Sequence, residues 1–157
     1  MVRMAEQACS KDRGDLLVSL GLGSCIGLAL IDETAGVAGL AHIVLPQAPA
    51  SGVGTTPGKF ADTAVPLLLD QVVKLGASPA RLRVVMCGGA AMFANKAASG
   101  VLQIGERNAE ATQVALEKVR LRVRAKDVGG STGRSIEVRV ATGEVLVRGV
   151  GQAPRQL

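Results

Sequence analysis

Apolar residues fall in short runs separated by breaks rich in glycine, proline and aspartate. This is the pattern of strands, with two longer stretches at helical spacing. Residues 15–20 and 26–31 are rich in Leu, Val and Ile, and each predicts a strand. Between them lies the break Gly21-Leu22-Gly23-Ser24-Cys25. Asp32-Glu33-Thr34-Ala35-Gly36 has Asp at its start and Gly at its end, as a turn does, and 37–45 predicts the returning strand of a hairpin. Residues 81–87 predict another strand, ending in a second small-residue break, Gly88-Gly89-Ala90-Ala91. Leu121, Val123 and Ala125 alternate with Arg122, Arg124 and Lys126, which predicts a half-buried strand. Near the end, 135–140 and 145–150 flank Ala141-Thr142-Gly143-Glu144, the clearest hairpin in the chain.

The first helical stretch is 63–75, with an apolar stripe at Leu67, Leu68, Val72 and Leu75 and a stop at Gly76. A start near Thr63 puts Pro66 in the first positions, where its missing N–H costs little; a start at Phe60 or Ala61 predicts a kink there. The second is 108–119, capped by Asn108, with Thr112, Leu116 and Val119 as its stripe. The polar stretch 46–59, with three prolines and three glycines, predicts a functional loop or lid just after His42. Residues 95–105 read as irregular or a short helical turn, and 128–133 as a flexible connection. The class is α+β: one layered domain, a mostly antiparallel sheet covered by two main helices. A lead-in or short edge element (1–14) precedes the domain (15–150), and a tail (151–157) follows it.

Composition narrows the function. Apolar content of 48% excludes disorder. Phe60 and Phe93 are the sole aromatics, which leaves few stacking platforms for single-stranded nucleic acid. The formal charge of +5 favours acidic partners, but many basic residues alternate with apolar ones, as on a solvated strand face. Nucleic acid is therefore not an expected partner. Cys9, Cys25 and Cys87 form neither a CxxC nor an even disulfide set, which points to a reducing compartment. Residues 1–14 lack the apolar core of a signal peptide, and no run approaches the ~18 apolar residues of a membrane span. The expectation is a soluble cytoplasmic protein without membrane insertion.

The candidate chemistry centres on Cys25, at a glycine-rich break between strands. A free thiol is largely protonated near neutral pH and needs a base to act as a nucleophile. His42, the single histidine, is the available base. A Cys/His pair attacks carbonyl carbon, with backbone N–H groups near Ser24 and Cys25 placed to hold the oxyanion. Ser19 is a candidate to orient the imidazole, with Asp15, Asp32 and Asp62 as carboxylate alternatives. The plain alternative is that Cys25 and His42 are ordinary core residues. Cys87 ends an apolar run and reads as core; Cys9 reads as incidental. One histidine and three scattered cysteines make a poor metal site, and neither glycine break matches GxGxxG or a phosphate loop, so no metal or cofactor is expected. Asn95, Arg107 and Asn108 are candidates to meet a polar substrate group, with solvated caps as the equal alternative, and Gly23 is a further substrate- or partner-binding candidate. The rival classes are a non-catalytic binding module and a thiol amidase or esterase acting on a small metabolite.

Six segments in order carry a family resemblance: Leu20-Gly21-Leu22-Gly23-Ser24-Cys25, His42-Ile43-Val44-Leu45-Pro46, Phe60-Ala61-Asp62-Thr63-Ala64, Gly88-Gly89-Ala90-Ala91-Met92-Phe93, Ile104-Gly105-Glu106-Arg107-Asn108, and Asp127-Val128-Gly129-Gly130-Ser131-Thr132-Gly133-Arg134. Together they resemble the CheD family of chemoreceptor glutamine deamidases. The resemblance implies a three-layered α+β fold, related to the catalytic domain of the cytotoxic necrotizing factor toxins. It implies conversion of receptor glutamines to glutamate, with glutamyl methyl ester hydrolysis in some members. It places the nucleophile on Cys25, the histidine on His42, and the third residue, a threonine in the family, on Ser19. Serine keeps the hydroxyl and loses the methyl that restrains its rotamer, which implies a looser but working site. The implied partners are the chemoreceptor cytoplasmic domain and a CheC-type phosphatase, with Met92 and Phe93 as candidate contacts.

Overall fold

The computed structural model describes residues 1–51, 56–91 and 104–157. In chain order the elements are β1 (Gln7–Ser10), β2 (Leu16–Leu22), β3 (Ile26–Asp32), β4 (Val37–Ile43), α1 (Ala61–Lys74), β5 (Arg83–Gly88), α2 (Ile104–Lys118), β6 (Val123–Val128), β7 (Arg134–Arg139), β8 (Val145–Gly149) and β9 (Arg155–Gln156). Short 3-10 turns lie at Pro57–Lys59 and Pro79–Arg81.

The strands form two sheets. A five-stranded sheet runs β1-β4-β3-β5-β6, and a four-stranded sheet runs β2-β7-β8-β9. All pairs are antiparallel except β5 and β6, whose parallel pairing requires a crossover. The segment between them contains α2.

The strand period of two explains the layers. Every residue of β3 and β4 is buried. Ile26, Leu28, Leu30, Ala41 and Ile43 pack with Val65, Leu68 and Val72 of α1 and Leu116 of α2. The intervening Ala29, Ile31, Ala38 and Leu40 pack with Leu17, Leu22, Ile136 and Val138 of the smaller sheet. The central strands therefore bury both faces, one under helices and one under a second sheet. The result is a mixed α+β fold of three layers. The two α-helices among the described residues and the mostly antiparallel pairing match the expected class. The second sheet was not expected from the pattern of the chain: the apolar residues of 15–20 and the alternation in 135–140 mark a buried face, but not what covers it.

Several local expectations change. α1 begins at Ala61, so Pro66 lies inside the helix rather than in its opening positions. Its ring is on the exposed side, where water can satisfy the Asp62 carbonyl it deprives of a donor. β5 starts at Arg83 because the preceding residues turn to place Arg81 on Asp32. The 1–14 segment contributes an edge strand, β1, paired with β4, and residues of the 151–157 tail add β9 to β8. The connection after β6 is held, not loose. Asp127 pairs with Arg134 at 3.0 Å and Arg155 at 2.7 Å, and the Ala91 and Gly129 N–H groups donate to Gly130 and Gly88 carbonyls. Among the described residues no helix is long and apolar enough to cross a membrane.

Candidate active site

The site forms at one end of the sandwich, between the two sheets. β2 first alternates inward and outward, with Leu17 and Ser19 buried. Its register against β7 then shifts between Ser19 and Leu22. Leu20 and Gly21 both face outward, and Leu22 turns back into the core. Gly21 has φ +68°, which suits the bulge. The irregularity keeps Ser19 inside, with no exposed surface, and turns the chain toward Cys25.

His42 reaches the same layer from β4, opposite Gly27 of β3. A Cβ on Gly27 would lie 2.7 Å from Leu22 Cδ1, so glycine is what allows the sheets to approach here. Ser19 Oγ lies 2.9 Å from His42 Nδ1, while His42 Nε2 is buried without a hydrogen-bond partner. Cys25 is partly buried against the same inter-sheet core, and it lines a cavity of about 230 Å³ together with His42, Leu20, Gly21 and residues 1–4. Burial raises the Cys25 thiol pKa. Burial also lowers that of His42, and the nearby Val2 main chain partly offsets the shift. Both shifts favour a neutral resting pair.

The loop carrying Cys25 is held from behind by the second small-residue break. Gly89 N–H donates to the Cys25 carbonyl and Ala90 N–H to the Gly23 carbonyl, each at 2.8 Å. Gly88 has φ +109°, and a Cβ there would stand 2.1 Å from the Cys25 carbonyl oxygen. Asn108, buried on α2, donates its amide to the Ser24 and Val44 carbonyls, both at 2.9 Å. Because α2 already runs from Ile104, Asn108 lies within the helix and not at its cap, and its burial and amide bonds make it a brace. Among the described residues the Ser24 and Cys25 N–H groups have no backbone acceptor.

The other candidates lie elsewhere. Asp15 accepts from Ser10, Asp32 holds Arg81 and Asp62 accepts from the Ala48 N–H, so none serves His42. Cys87 is fully buried, with its pKa pushed up by burial to about 12. Cys9, on β1, packs against Gly39 of β4, with burial raising its pKa likewise to about 12. Arg107 is exposed on a separate cleft with Asp62 and Glu110. Larger clefts, of about 540 and 660 Å³, run along β6 and the turn before it and contain neither cysteine nor histidine. Met92 and Phe93 lie outside the described residues, as do residues 52–55 of the expected lid and 92–103, which include most of the expected 95–105 turn.

The family model described as CheD chemotactic sensory transduction matches residues 44–149. A relative from Caldanaerobacter subterraneus subsp. tengcongensis is 40% identical over 156 residues, covering 99% of this chain and 96% of its own length. The chain belongs to the CheD family. A CheD relative from Desulfitobacterium hafniense is 45% identical over 141 residues, 90% of this chain and 88% of that protein. Another, from Desulforamulus reducens, is 41% identical over 135 residues, 86% and 81% of the two chains. All three carry the name "Probable chemoreceptor glutamine deamidase CheD".

Sequence reasoning marked Gly88-Gly89 as a break and Asn108 as a cap or substrate contact, but missed that these residues, distant in the chain, brace the loop carrying Cys25. The Met1–Met4 wall had one faint signal, apolar residues interrupting a polar segment.

Proposed function

We propose that this chain is a cytoplasmic chemoreceptor glutamine deamidase whose nucleophile is Cys25. The observation that carries the reading is the imidazole of His42. Its Nδ1 is held by Ser19, and its Nε2 is unpartnered in the layer that Cys25 lines. With Nδ1–H donating to Ser19, Nε2 is the free base. It takes the Cys25 proton as sulfur attacks the glutamine side-chain carbonyl carbon. The carbonyl electron pair moves to oxygen, where the Ser24 and Cys25 N–H groups receive it. The intermediate collapses to a γ-glutamyl thioester, and the nitrogen leaves as ammonia with the proton from His42. Water then gives a proton to His42, attacks the thioester and releases glutamate; that proton returns to the thiol. A glutamyl methyl ester follows the same course with methanol leaving. The names of the relatives supply the substrate class. A CheC-type phosphatase is a further partner in this reading.

The test is mass-spectrometric detection of glutamine-to-glutamate conversion in a purified receptor cytoplasmic domain. Native protein should convert it. Cys25→Ala should abolish conversion and leave thermal unfolding unchanged, since the thiol is only partly buried. Full activity of Cys25→Ala would overturn the scheme. Stable receptor binding without conversion by the native chain would favour a regulatory binding module.

A further inference from the structure

We propose that Met1, Met4 and Leu20 form an apolar collar around the mouth of the Cys25 cavity, and that this collar selects protein glutamines flanked by apolar side chains. The proposal deepens the deamidase reading and rests on Cys25 as the reacting group.

Three observations carry it. First, Met1, Met4 and Leu20 are 65%, 64% and 53% exposed, three of seven large apolar residues left so open among the described residues. All three line a cavity that contains both Cys25 and His42. Scattered apolar exposure needs no explanation, but a cluster at a site mouth marks a contact surface. Second, the segment bearing the methionines is anchored. Val2 is 1% exposed, and its N–H donates to the Val18 carbonyl at 2.7 Å. The Ala5 N–H donates to the His42 carbonyl at 3.0 Å, and Ala5 holds a left-handed φ of +64°. A Cβ on Gly58 would stand 2.5 Å from the Ala5 carbonyl, so the turn is packed from outside as well. The backbone holds these side chains outward. Third, the chemistry does not use them. A carboxamide meets Cys25, His42 and backbone N–H groups, so the apolar rim must meet the residues around the glutamine.

Methionine adapts its shape to different apolar surfaces. The collar thus suits several glutamines in related settings. On a helical substrate the relevant neighbours are three and four residues away, on the same face as the glutamine.

The experiment separates binding from turnover. The full chain carrying Cys25→Ala is titrated into two fluorescently labelled helical peptides, and anisotropy is read. The peptides are identical except that leucines or serines flank the glutamine three and four residues away. The leucine peptide should bind about tenfold tighter, the scale expected when one or two methylenes become buried. Adding Met4→Ala or Leu20→Ala should each weaken the leucine peptide about fivefold and leave the serine peptide unchanged. Met4→Leu should preserve the preference. Equal affinity for both peptides, binding of neither, or no effect of the alanine variants overturns the collar. Both residues are exposed, so the variants should fold, as thermal melting will check. Conversion of both peptides by native protein without preference would leave the deamidase reading intact and remove the collar. A preference without conversion would do the reverse.

Discussion

In the proposed mechanism the Ser19 hydroxyl decides which nitrogen of His42 works: accepting from Nδ1–H, it would leave the Nε2 lone pair for the Cys25 proton. Ser19→Ala removes this orientation but not the base, and should lower kcat/KM by about 10–100-fold. Ammonia release measured against Cys25→Ala as background checks it. The same residues set the pH profile. As the proposed base His42 must be neutral, and burial lowers its pKa. The acid limb of kcat/KM should therefore fall below the ordinary imidazole value of about 6.5. The reactant pair also needs its proton on Cys25, whose pKa burial raises, so the alkaline limb should lie above about 8.5. A bell whose limbs move inward from those values would contradict the neutral pair.

The element that makes Cys25 available is the loop between β2 and β3, and its rigidity comes from β5 and α2. Gly88 and Gly89 bring a backbone against the Cys25 carbonyl where no side chain fits. Gly88→Ala would set a methyl against backbone in a conformation alanine disfavours. It should destabilise the fold and slow Cys25 alkylation or conversion more than its stability loss accounts for. Asn108→Ala leaves the Ser24 and Val44 carbonyls without its donors, at a cost of about 1–3 kcal/mol. Chemical denaturation reads that loss. An unchanged midpoint with full activity would mean the brace is dispensable.

The whole fold depends on the β3–β4 hairpin having two buried faces, and carboxylates tie its margins. Asp32 ends β3 with no exposed surface and accepts from Arg81 twice, at 3.1 and 2.7 Å. Burial opposes its ionisation, but Arg81 and the Ser78 and Ala35 N–H groups outweigh burial and bring its pKa down to about 2. Burial likewise opposes, and Arg134 and Arg155 outweigh it to lower, the Asp127 pKa. A depressed folded pKa gives stability that is complete above the unfolded value and lost as pH falls through the folded one. Unfolding titrations should therefore show stability falling from about pH 4 toward pH 2. Asp32→Asn should cost about 2 kcal/mol at neutral pH and flatten that acid loss. An Asp32→Asn protein with the native acid profile would remove the pair from the account.

The strands and helices were legible because their signals are local: the apolar run in 37–45, the alternation in 121–126, a helical stripe in 63–75 and the glycine turn near the end each specify an element from a few neighbours. Cys25 was legible as a candidate because it follows glycines at a strand break, and His42 because there is no other histidine. The pairing partners were not legible, since a strand with one buried face does not encode what covers it. Residues 15–20 and 26–31 are close in sequence, yet they entered different sheets, and that separation is what made room for Ser19 beside His42. Asn108 illustrates the same limit. Its residue type suggested a cap, but a buried amide takes whatever unpaired carbonyls the fold brings to it, and here these were the carbonyls of Ser24 and Val44. Local order came from short-range sterics and hydrophobic spacing. The site came from contacts between residues far apart in the chain, which exist only once the layers have packed.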